Sequence, residues 1–487
     1  MGYPCVEITS RETVRESGNG RLEMLHSPLG ELPVLHVAGT PEEMGRQHGA
    51  LLGDKVALLI ERFKRFFMVP GGPDDLGLAL LRNAWARLRP YVPDAYLAEM
   101  AAVVQGAREA GHDLCEDAIA VATATTNFDL YQIDRRLTEL APPEVKGLLE
   151  TQEIKKMPRM SCTMLAAWGT RTVDGKMFSH RNLDWHAQTG IHDERLITVC
   201  RPEDGIPFVT VGYTGIIGAL AGLSARGITV AEIGAFSARE ELDGMPWTLT
   251  ARRVLETTGS LEEAVALSEN AKHTLGYNFM LSDGDPEHFG TDAFRPRAAA
   301  LETNFECCEV FHENDAKERD AAWADADGET HAYGLPLREA IVRADTAFGK
   351  STRALQTCDN GPAEGGQDGN PNVEGTSYVN CHKPMHDMLE AYRTGSEYVY
   401  PIRGTKVIEK AEPRRIGPEE MRAIAGTVAH NTEKLDEDDW NVMSVVYAPT
   451  DLELWVAYES CDEKGHWRNA PDTGYWHLSL AELGALD

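Results

Sequence analysis

The sequence of this 487-residue chain is organised around two short stretches, Ser161-Cys162-Thr163 and Ser179-His180-Arg181-Asn182-Leu183-Asp184-Trp185. An apolar run over 164–168 follows the first stretch, and the polar turn Thr172-Val173-Asp174-Gly175-Lys176 then leads to the second. Two apolar runs joined by a polar, glycine-containing turn are typical of a β-hairpin. We therefore expect two paired strands, with Cys162 at the head of the first and Arg181 and Asp184 late in the second.

A cysteine that becomes the first residue of a chain can use its own α-amino group as a general base. That amine has a reference pKa near ~8, so a useful fraction is neutral at physiological pH. Asp184 on the neighbouring strand could orient the amine, and Arg181 could lower the thiol pKa and hold a substrate carbonyl or carboxylate. These groups suffice for acyl transfer through a thioester on Cys162, although a buried cysteine and a strand-end ion pair remain the alternative.

At these residues the sequence resembles the N-terminal nucleophile (Ntn) hydrolases, and most closely the cysteine branch that contains isopenicillin N acyltransferase. Choloylglycine hydrolases and acid ceramidase are more distant relatives of that branch. Further matching stretches are Gly215-Ile216-Ile217-Gly218, Ser224-Ala225-Arg226-Gly227-Ile228 and, upstream, the run from Gly39 to Gly49. The resemblance extends from about residue 30 to the C-terminus and is strongest over 160–235.

The resemblance implies an α+β fold with four layers, the αββα sandwich of the Ntn hydrolases. Residues 1–161 would be a mostly helical pro-region or α-chain, and residues 162–487 the β-chain, with insertions near 306–330 and 359–376. Self-cleavage is expected between Ser161 and Cys162. Residues 1–30 are polar, and we expect them to form a loose arm ahead of a strand over 32–38 and a helix that starts after Thr40.

The resemblance also implies an asparagine side chain that stabilises the oxyanion, at a strand end beyond the two central helices. Asn304 is the first candidate, although Phe305 follows it where relatives commonly place a histidine. A rival alignment puts the position at Arg343-Ala344-Asp345-Thr346, so that Asp345 would replace the asparagine. An ionised aspartate cannot donate a hydrogen bond, and that alignment would imply altered or lost hydrolytic chemistry.

Composition limits the classes of partner. The chain carries 47 basic and 77 acidic residues and a formal net charge of −30, which disfavours nucleic acid and anionic membranes. The nine scattered cysteines and an N-terminus without an apolar segment predict reduced thiols and a cytoplasmic location. No cofactor is expected; the expected partners are a small-molecule amide substrate and the chain's own cleaved α-chain, and a homo-oligomer is left open.

Two rival functions belong to different classes. One is a catalytically silent scaffold that keeps the fold without the donor set, suggested by Phe305, by Asp345 and by the lack of the late arginine that some relatives use. The other is an uncleaved metal-dependent hydrolase that uses Cys381, His382 and His386, whose spacing offers three candidate ligands.

Overall fold

The computed structural model describes residues 3–28, 30–66, 76–127, 143, 162–186, 190–235, 237–324, 327–356, 376–402, 405–429, 439–461 and 467–486. The proposed cleavage residue Ser161 and almost all of the predicted insertion at 359–376 lie outside these residues. Within the described part of the chain, no helix combines the length and the apolarity needed to cross a bilayer.

The strands form two large sheets and three small ribbons. In chain order the strands are β1 Cys5–Val6, β2 Ser10–Ser17, β3 Gly20–Ser27, β4 Gly30–Gly39, β5 Thr163–Ala167, β6 Phe178–His186, β7 Arg195–Pro202, β8 Phe208–Tyr213, β9 Ala221–Ser224, β10 Ile228–Gly234, β11 Tyr277–Asp283, β12 Arg297–Thr303, β13 Cys308–Phe311, β14 Ala322–Ala324, β15 Thr330–Ala332, β16 Ala340–Arg343, β17 Glu397–Ile402, β18 Thr405–Lys410, β19 Asp439–Ala448, β20 Glu453–Tyr458, β21 Ser460–Cys461, β22 Trp467–Arg468 and β23 Tyr475–Ser479. The seven-stranded sheet has the order β1-β23-β20-β19-β6-β5-β16, and the ten-stranded sheet the order β13-β12-β11-β10-β9-β8-β7-β4-β3-β2.

The helices lie on the outer faces of both sheets. They are α1 Pro41–Phe66, α2 Leu76–Leu88, α3 Asp94–Glu109, α4 Ala118–Thr126, α5 Trp247–Thr257, α6 Leu261–Glu269, α7 Ala316–Arg319, α8 Lys350–Leu355, α9 Lys383–Thr394, α10 Pro418–Val428 and α11 Ala470–Thr473. Helices α5 and α6 contact β9 to β12 of the larger sheet, whereas α10 and α11 contact β6, β19 and β20 of the smaller sheet.

The inner faces of the two sheets share an apolar core. Met164 and Ala166 of β5 pack with Ala231 and Ile233 of β10 and with Met280 of β11, and all five side chains are buried. Two facing sheets with a helical layer outside each confirm the predicted α+β, four-layer αββα sandwich.

One prediction about the chain outside this core is wrong. Residues 1–30 are not a loose arm, because β2 and β3 form an antiparallel edge of the ten-stranded sheet. The stretch 306–330 contributes β13, which pairs with β12 at the other edge of that sheet, and its origin as an insertion stays a prediction. In both places backbone pairing with a neighbouring strand forms the strand, and the side chains are largely exposed or only partly buried.

The segment before Cys162 is built into the rest of the fold. Strand β4 pairs in parallel with β7, and α1 starts as predicted, with the Thr40 hydroxyl accepting from the Glu43 N–H at 3.2 Å and the Glu43 carboxylate accepting from the Thr40 N–H at 2.8 Å. Helices α1 and α3 approach so closely that a Cβ on Gly49 would lie 1.9 Å from the Val103 carbonyl oxygen. Glycine is therefore required at that position. The predicted boundary at 161/162 divides chain segments that pack on one another.

Candidate active site

Cys162 immediately precedes the predicted hairpin. Strand β5 pairs with β6 from Thr163 opposite Asn182 to Ala167 opposite Phe178, and two 3-10 turns over 169–171 and 173–175 connect the strands. The cysteine is 6% exposed, and its Sγ lies 3.8 Å from the main-chain oxygen of Asp184. The hairpin register thus brings the two ends of the motif together.

The surroundings of the Cys162 thiol favour its neutral form. Burial raises the pKa of this thiol well above its ordinary value, and Asp184 raises it further. Arg181 acts in the opposite direction but does not reverse the shift, while Asp345 and Glu232 add to the increase. At neutral pH the thiol therefore needs a base before it can attack a carbonyl.

Asp184 is buried next to the thiol and is held by the C-terminal hairpin. Its Oδ1 accepts a hydrogen bond from the Asn441 amide at 2.9 Å, and Asn441 lies opposite Asp184 in the β19–β6 register. The Asn441 amide thus ties the Asp184 carboxylate to β19. The role of Asp184 in orienting the amine stays a prediction.

Arg181 is fully buried and forms an ion pair between the two sheets. Its Nη2 lies 3.0 Å from Glu232 Oε2, and its Nε donates to the Glu232 carbonyl oxygen at 3.0 Å. The remaining Nη1 is buried and has no hydrogen-bond partner among the described residues. The guanidinium therefore anchors β6 to β10 and retains one donor group.

Asn304 lies at the end of β12, where it shapes the turn into β13. Its Oδ1 accepts from the N–H groups of Glu306 at 2.9 Å and Cys307 at 3.1 Å. The residue is buried, but it does not line the cavity at Cys162. Its role as an oxyanion donor stays a prediction.

Asp345, the rival candidate, follows β16, the strand that pairs with β5. Its N–H donates to Ser377 Oγ at 3.0 Å, and its carbonyl oxygen accepts from the Gln356 amide at 2.6 Å. The carboxylate is 2% exposed, and it raises the pKa of the Cys162 thiol. Of the two alternatives, Asp345 is the one that acts electrostatically on the cysteine.

Cys162 opens onto a small apolar cavity. The cavity has a volume of about 60 Å³, and Cys162, Asp184 and Glu232 are among the residues that line it. The other lining residues are mainly apolar or aromatic: Thr126, Leu183, Trp185, Leu220, Gly234, Trp247 and Tyr277. A cavity with this wall suits an apolar group next to a reactive thiol.

The upstream motif contacts the downstream motif. His48, in the Gly39-to-Gly49 run, accepts a hydrogen bond at Nε2 from the Gly215 N–H at 3.3 Å. Burial lowers the pKa of His48 to about 4, with Arg252 contributing, so the ring is neutral and can accept. Two stretches that were noted separately in the sequence therefore form one structural unit.

The rival metal site is not supported by the structure. Among the described residues, no group of three or more His, Cys, Asp or Glu side chains could hold a metal ion. The His382 ring is buried between Tyr378, at a centroid distance of 5.3 Å, and Phe348, at 4.8 Å. His386 lies one turn further along and contacts Asp387 at 3.1 Å.

Several residues of the site were not singled out in the sequence. Glu232 gives a signal in retrospect, because an acidic residue inside the apolar run Ile228-Thr229-Val230-Ala231-Glu232-Ile233 implies a buried cationic partner. Trp247 and Tyr277 give no such signal, since aromatic residues at these positions are equally typical of the core.

Comparison with known proteins gives a family match for residues 170–314, to the model described as acyl-coenzyme A:6-aminopenicillanic acid acyl-transferase. An uncharacterised protein of Archaeoglobus fulgidus is 28% identical over 292 residues, which are 58% of this chain and 45% of that protein. Protein dcd1B of Dictyostelium discoideum is 24% identical over 267 residues, which are 54% of this chain and 50% of that protein. The chain thus spans about half the length of these relatives.

Similar solved structures include an N-acylethanolamine-hydrolyzing acid amidase ortholog from Caenorhabditis elegans, with 13% identity, a TM-score of 0.36, and coverage of 59% of this chain and 93% of that one. Penicillin V acylase from Agrobacterium tumefaciens has 11% identity and a TM-score of 0.33, and the match covers 64% of this chain and 88% of that one. The family match includes Arg181, Asp184 and Asn304 and begins eight residues after Cys162. The resemblance predicted from the sequence, to the isopenicillin N acyltransferase-like branch of the Ntn hydrolases, is thereby confirmed over residues 170–314.

Proposed function

We propose that this protein is a cysteine Ntn amidohydrolase or N-acyltransferase that acts on a linear amide through a thioester on Cys162. The observation that carries the proposal is the position of Cys162, which borders an apolar cavity next to Asp184 and heads the hairpin that contains Arg181. The family match and the four-layer sandwich support the same class of reaction.

The proposal includes maturation by self-cleavage. The Cys162 thiol attacks the Ser161 carbonyl carbon, and the peptide C–N bond breaks as the S–C bond forms. The departing nitrogen takes up the thiol proton. Water then hydrolyses the thioester, which leaves a carboxylate on Ser161 and frees the Cys162 thiol and its new α-amine. Contacts such as β4 with β7 would keep the resulting α-chain bound.

In the mature protein the Cys162 amine takes the thiol proton, and Asp184 orients that amine. The thiolate attacks the substrate carbonyl, and the tetrahedral oxyanion requires donors, for which Asn304 and a backbone N–H are our candidates. The amine product departs, and water or a second amine resolves the thioester. Arg181 does not itself line the cavity, and its buried Nη1 stays a candidate donor for a substrate carbonyl or carboxylate.

The apolar wall supports an apolar acyl group as the part recognised. A reducing compartment such as the cytoplasm is part of the proposal, because the reaction needs Cys162 as a free thiol.

The first test is the intact mass of the denatured full-length product, for the wild type and for Cys162→Ala. We expect two fragments that meet at Ser161/Cys162 in the wild type and one uncleaved chain in the variant. Cys381→Ala, which removes another buried cysteine, is the matched control and should cleave normally. A single chain in the wild type would contradict the proposed maturation.

The second candidate function is a catalytically silent scaffold with the same fold. Asp345 favours it, because a buried carboxylate that raises the thiol pKa stands where the rival alignment requires a neutral donor. A series of N-acyl p-nitroanilides from acetyl to decanoyl separates the two functions. Turnover that Cys162→Ala abolishes supports the enzyme. A cleaved protein that shows neither turnover nor the mass of a trapped acyl-enzyme supports the scaffold.

A further inference from the structure

A second cavity lies beyond the opposite end of β5 from Cys162. It has a volume of about 260 Å³ and is formed by the 3-10 turn over 169–171, the end of α9, and the segment 414–416. Backbone hydrogen bonds join these three segments: the Ile416 N–H donates to the Arg171 carbonyl at 2.9 Å, and the Arg414 N–H donates to the Tyr392 carbonyl at 2.8 Å. The cavity is therefore part of the folded framework.

Four arginines line this cavity, in a chain whose net charge is −30. They are Arg171, Arg393, Arg414 and Arg415. Glu390 pairs with Arg171 at 2.8 Å and with Arg393 at 2.5 Å, and Glu420 lies 3.8 Å from Arg414. Among the described residues, those that line the cavity itself carry four guanidinium groups and no carboxylate.

Arg171 has an unused donor at the cavity wall. Its side chain is 8% exposed, its Nε donates to the Arg338 carbonyl at 2.6 Å, and its Nη2 pairs with Glu390. Its Nη1 is buried and has no hydrogen-bond partner among the described residues. Arg171 therefore brings an unsatisfied guanidinium donor to the residues that line the cavity.

We propose that this arginine cavity binds a small anionic ligand through a phosphate or carboxylate group. Guanidinium groups pair with both of these oxyanions through two parallel hydrogen bonds. The cavity adjoins a cleft of about 950 Å³ that is also lined by Arg171 and Arg393 and offers a route of entry. The five residues of β5, at ~3.3 Å each, place the cavity about 16 Å or more from Cys162. The site is therefore distinct from the proposed acyl-transfer centre and does not depend on it.

The test is isothermal titration of the full-length protein with inorganic phosphate and, separately, with succinate at constant ionic strength. We expect one saturable site per chain for at least one probe, and the tighter probe identifies the anionic group. Arg415→Gln changes an exposed residue without a described side-chain partner and should weaken binding about tenfold or more. Arg171→Lys keeps the charge but loses the planar donor pair, and it should also weaken binding.

The matched control is Arg253→Gln, which removes the same charge from an exposed position on α5 and should leave binding unchanged. Absence of saturable binding by both probes would overturn the proposal. Binding that Arg415→Gln leaves unchanged would also overturn it, because the anion would then lie elsewhere. Binding that Arg253→Gln weakens as much as Arg415→Gln does would overturn it too, because the anion would then respond to the overall charge.

Discussion

The ion pair between Glu99 and Arg252 joins the segment before Cys162 to the segment after it, and removing Glu99 should destabilise the protein strongly. Glu99 lies on α3 and Arg252 on α5, with Nη1–Oε1 and Nη2–Oε2 distances of 2.8 and 2.7 Å. The two side chains are 7% and 1% exposed, respectively. Breaking a buried pair from one side typically costs about 3–5 kcal/mol, because it leaves an uncompensated charge.

Two further contacts place the expected cost of Glu99→Ala near the lower limit, at about 3 kcal/mol. Arg252 also donates to the Ile217 carbonyl at 3.0 Å, and its Nε lies 3.4 Å from Glu256 Oε2. Glu256 already accepts from the Tyr96 hydroxyl at 2.8 Å, so it compensates the guanidinium only in part. A marginal stability of roughly 5–15 kcal/mol makes this a large fraction of the total.

The assay is urea unfolding of the full-length chain in a Cys162→Ala background, so that a single covalent chain is measured. Glu109→Ala is the matched control, because Glu109 pairs with Arg46 at 3.2 Å with both side chains about half exposed. An exposed pair contributes about 0–1 kcal/mol. Equal midpoints for Glu99→Ala and Glu109→Ala would refute the reasoning. The double change Glu99→Met with Arg252→Met should recover only part of the loss, since it removes both charges of the pair but takes the guanidinium away from Glu256 and the Ile217 carbonyl.

Three further predictions concern titratable and donor groups. Burial and Asp184 raise the pKa of the Cys162 thiol in the uncleaved chain, so its alkylation rate in the uncleaved precursor should still be rising above pH ~8.5. Peptide mass spectrometry of a slow iodoacetamide reaction measures that rate; Asp345→Asn should shift the profile to lower pH, and Asp283→Asn, a buried carboxyl outside the site, should not. Asn304→Asp keeps the oxygen that accepts from the Glu306 and Cys307 N–H groups but removes the amide donor. An unchanged melting temperature with a ~10²–10³-fold loss in kcat would support the role of Asn304 as an oxyanion donor. An unchanged kcat would mean that Asn304 only stabilises the turn between β12 and β13. Burial raises the pKa of Glu459 well above its ordinary value, so the stability that this residue contributes is complete below pH ~4.3 and is lost as pH rises through the folded-state pKa. In thermal melts, Glu459→Gln should therefore match the stability of the wild type near pH 4 and exceed it by about 1–3 kcal/mol near pH 8. An equal pH dependence of the two proteins would contradict this.

The elements that the sequence predicted best are those whose local pattern and tertiary burial agree. Met44, Leu51, Val56 and Leu59 recur at helical spacing, and all are buried in α1. Ser260 caps α6 by accepting from the Glu263 N–H at 3.3 Å, in the Ser-x-x-Glu pattern that is typical of a helix start. The apolar runs on either side of the turn Pro449-Thr450-Asp451 likewise agree with the hairpin of β19 and β20 in the middle of the smaller sheet.

Strand β2 could not be predicted, because its sequence carries no apolar face. Seven of the eight residues in Ser10-Arg11-Glu12-Thr13-Val14-Arg15-Glu16-Ser17 are exposed, including Val14 at 47%. The strand exists because its backbone pairs with β3, and such edge pairing leaves no periodic signal in the side chains. Polar, charged edge strands also discourage association with other sheets.

The candidate site was predictable within one hairpin but not across the two sheets. Cys162 and Asp184 are brought together by a local register, which the turn between the strands determines. The pairing of Arg181 with Glu232 joins residues 51 positions apart on different sheets, and only the packing of the sandwich decides it. For the same reason the sequence left Asn304 and Asp345 as alternatives, although they lie on different elements in the fold.

The charges around Cys162 would suit the amine that the proposed cleavage would release. Asp184, Asp345 and Glu232 all raise the thiol pKa, and Arg181, a cation that lowers it, is already paired with Glu232. Such surroundings disfavour a thiolate, but they stabilise a positive charge at the same place. An α-ammonium on Cys162 would supply that charge, and it would form as the amine takes the thiol proton. A site that opposes thiolate formation before cleavage would therefore support a thiolate–ammonium pair afterwards, which links the onset of activity to the cut.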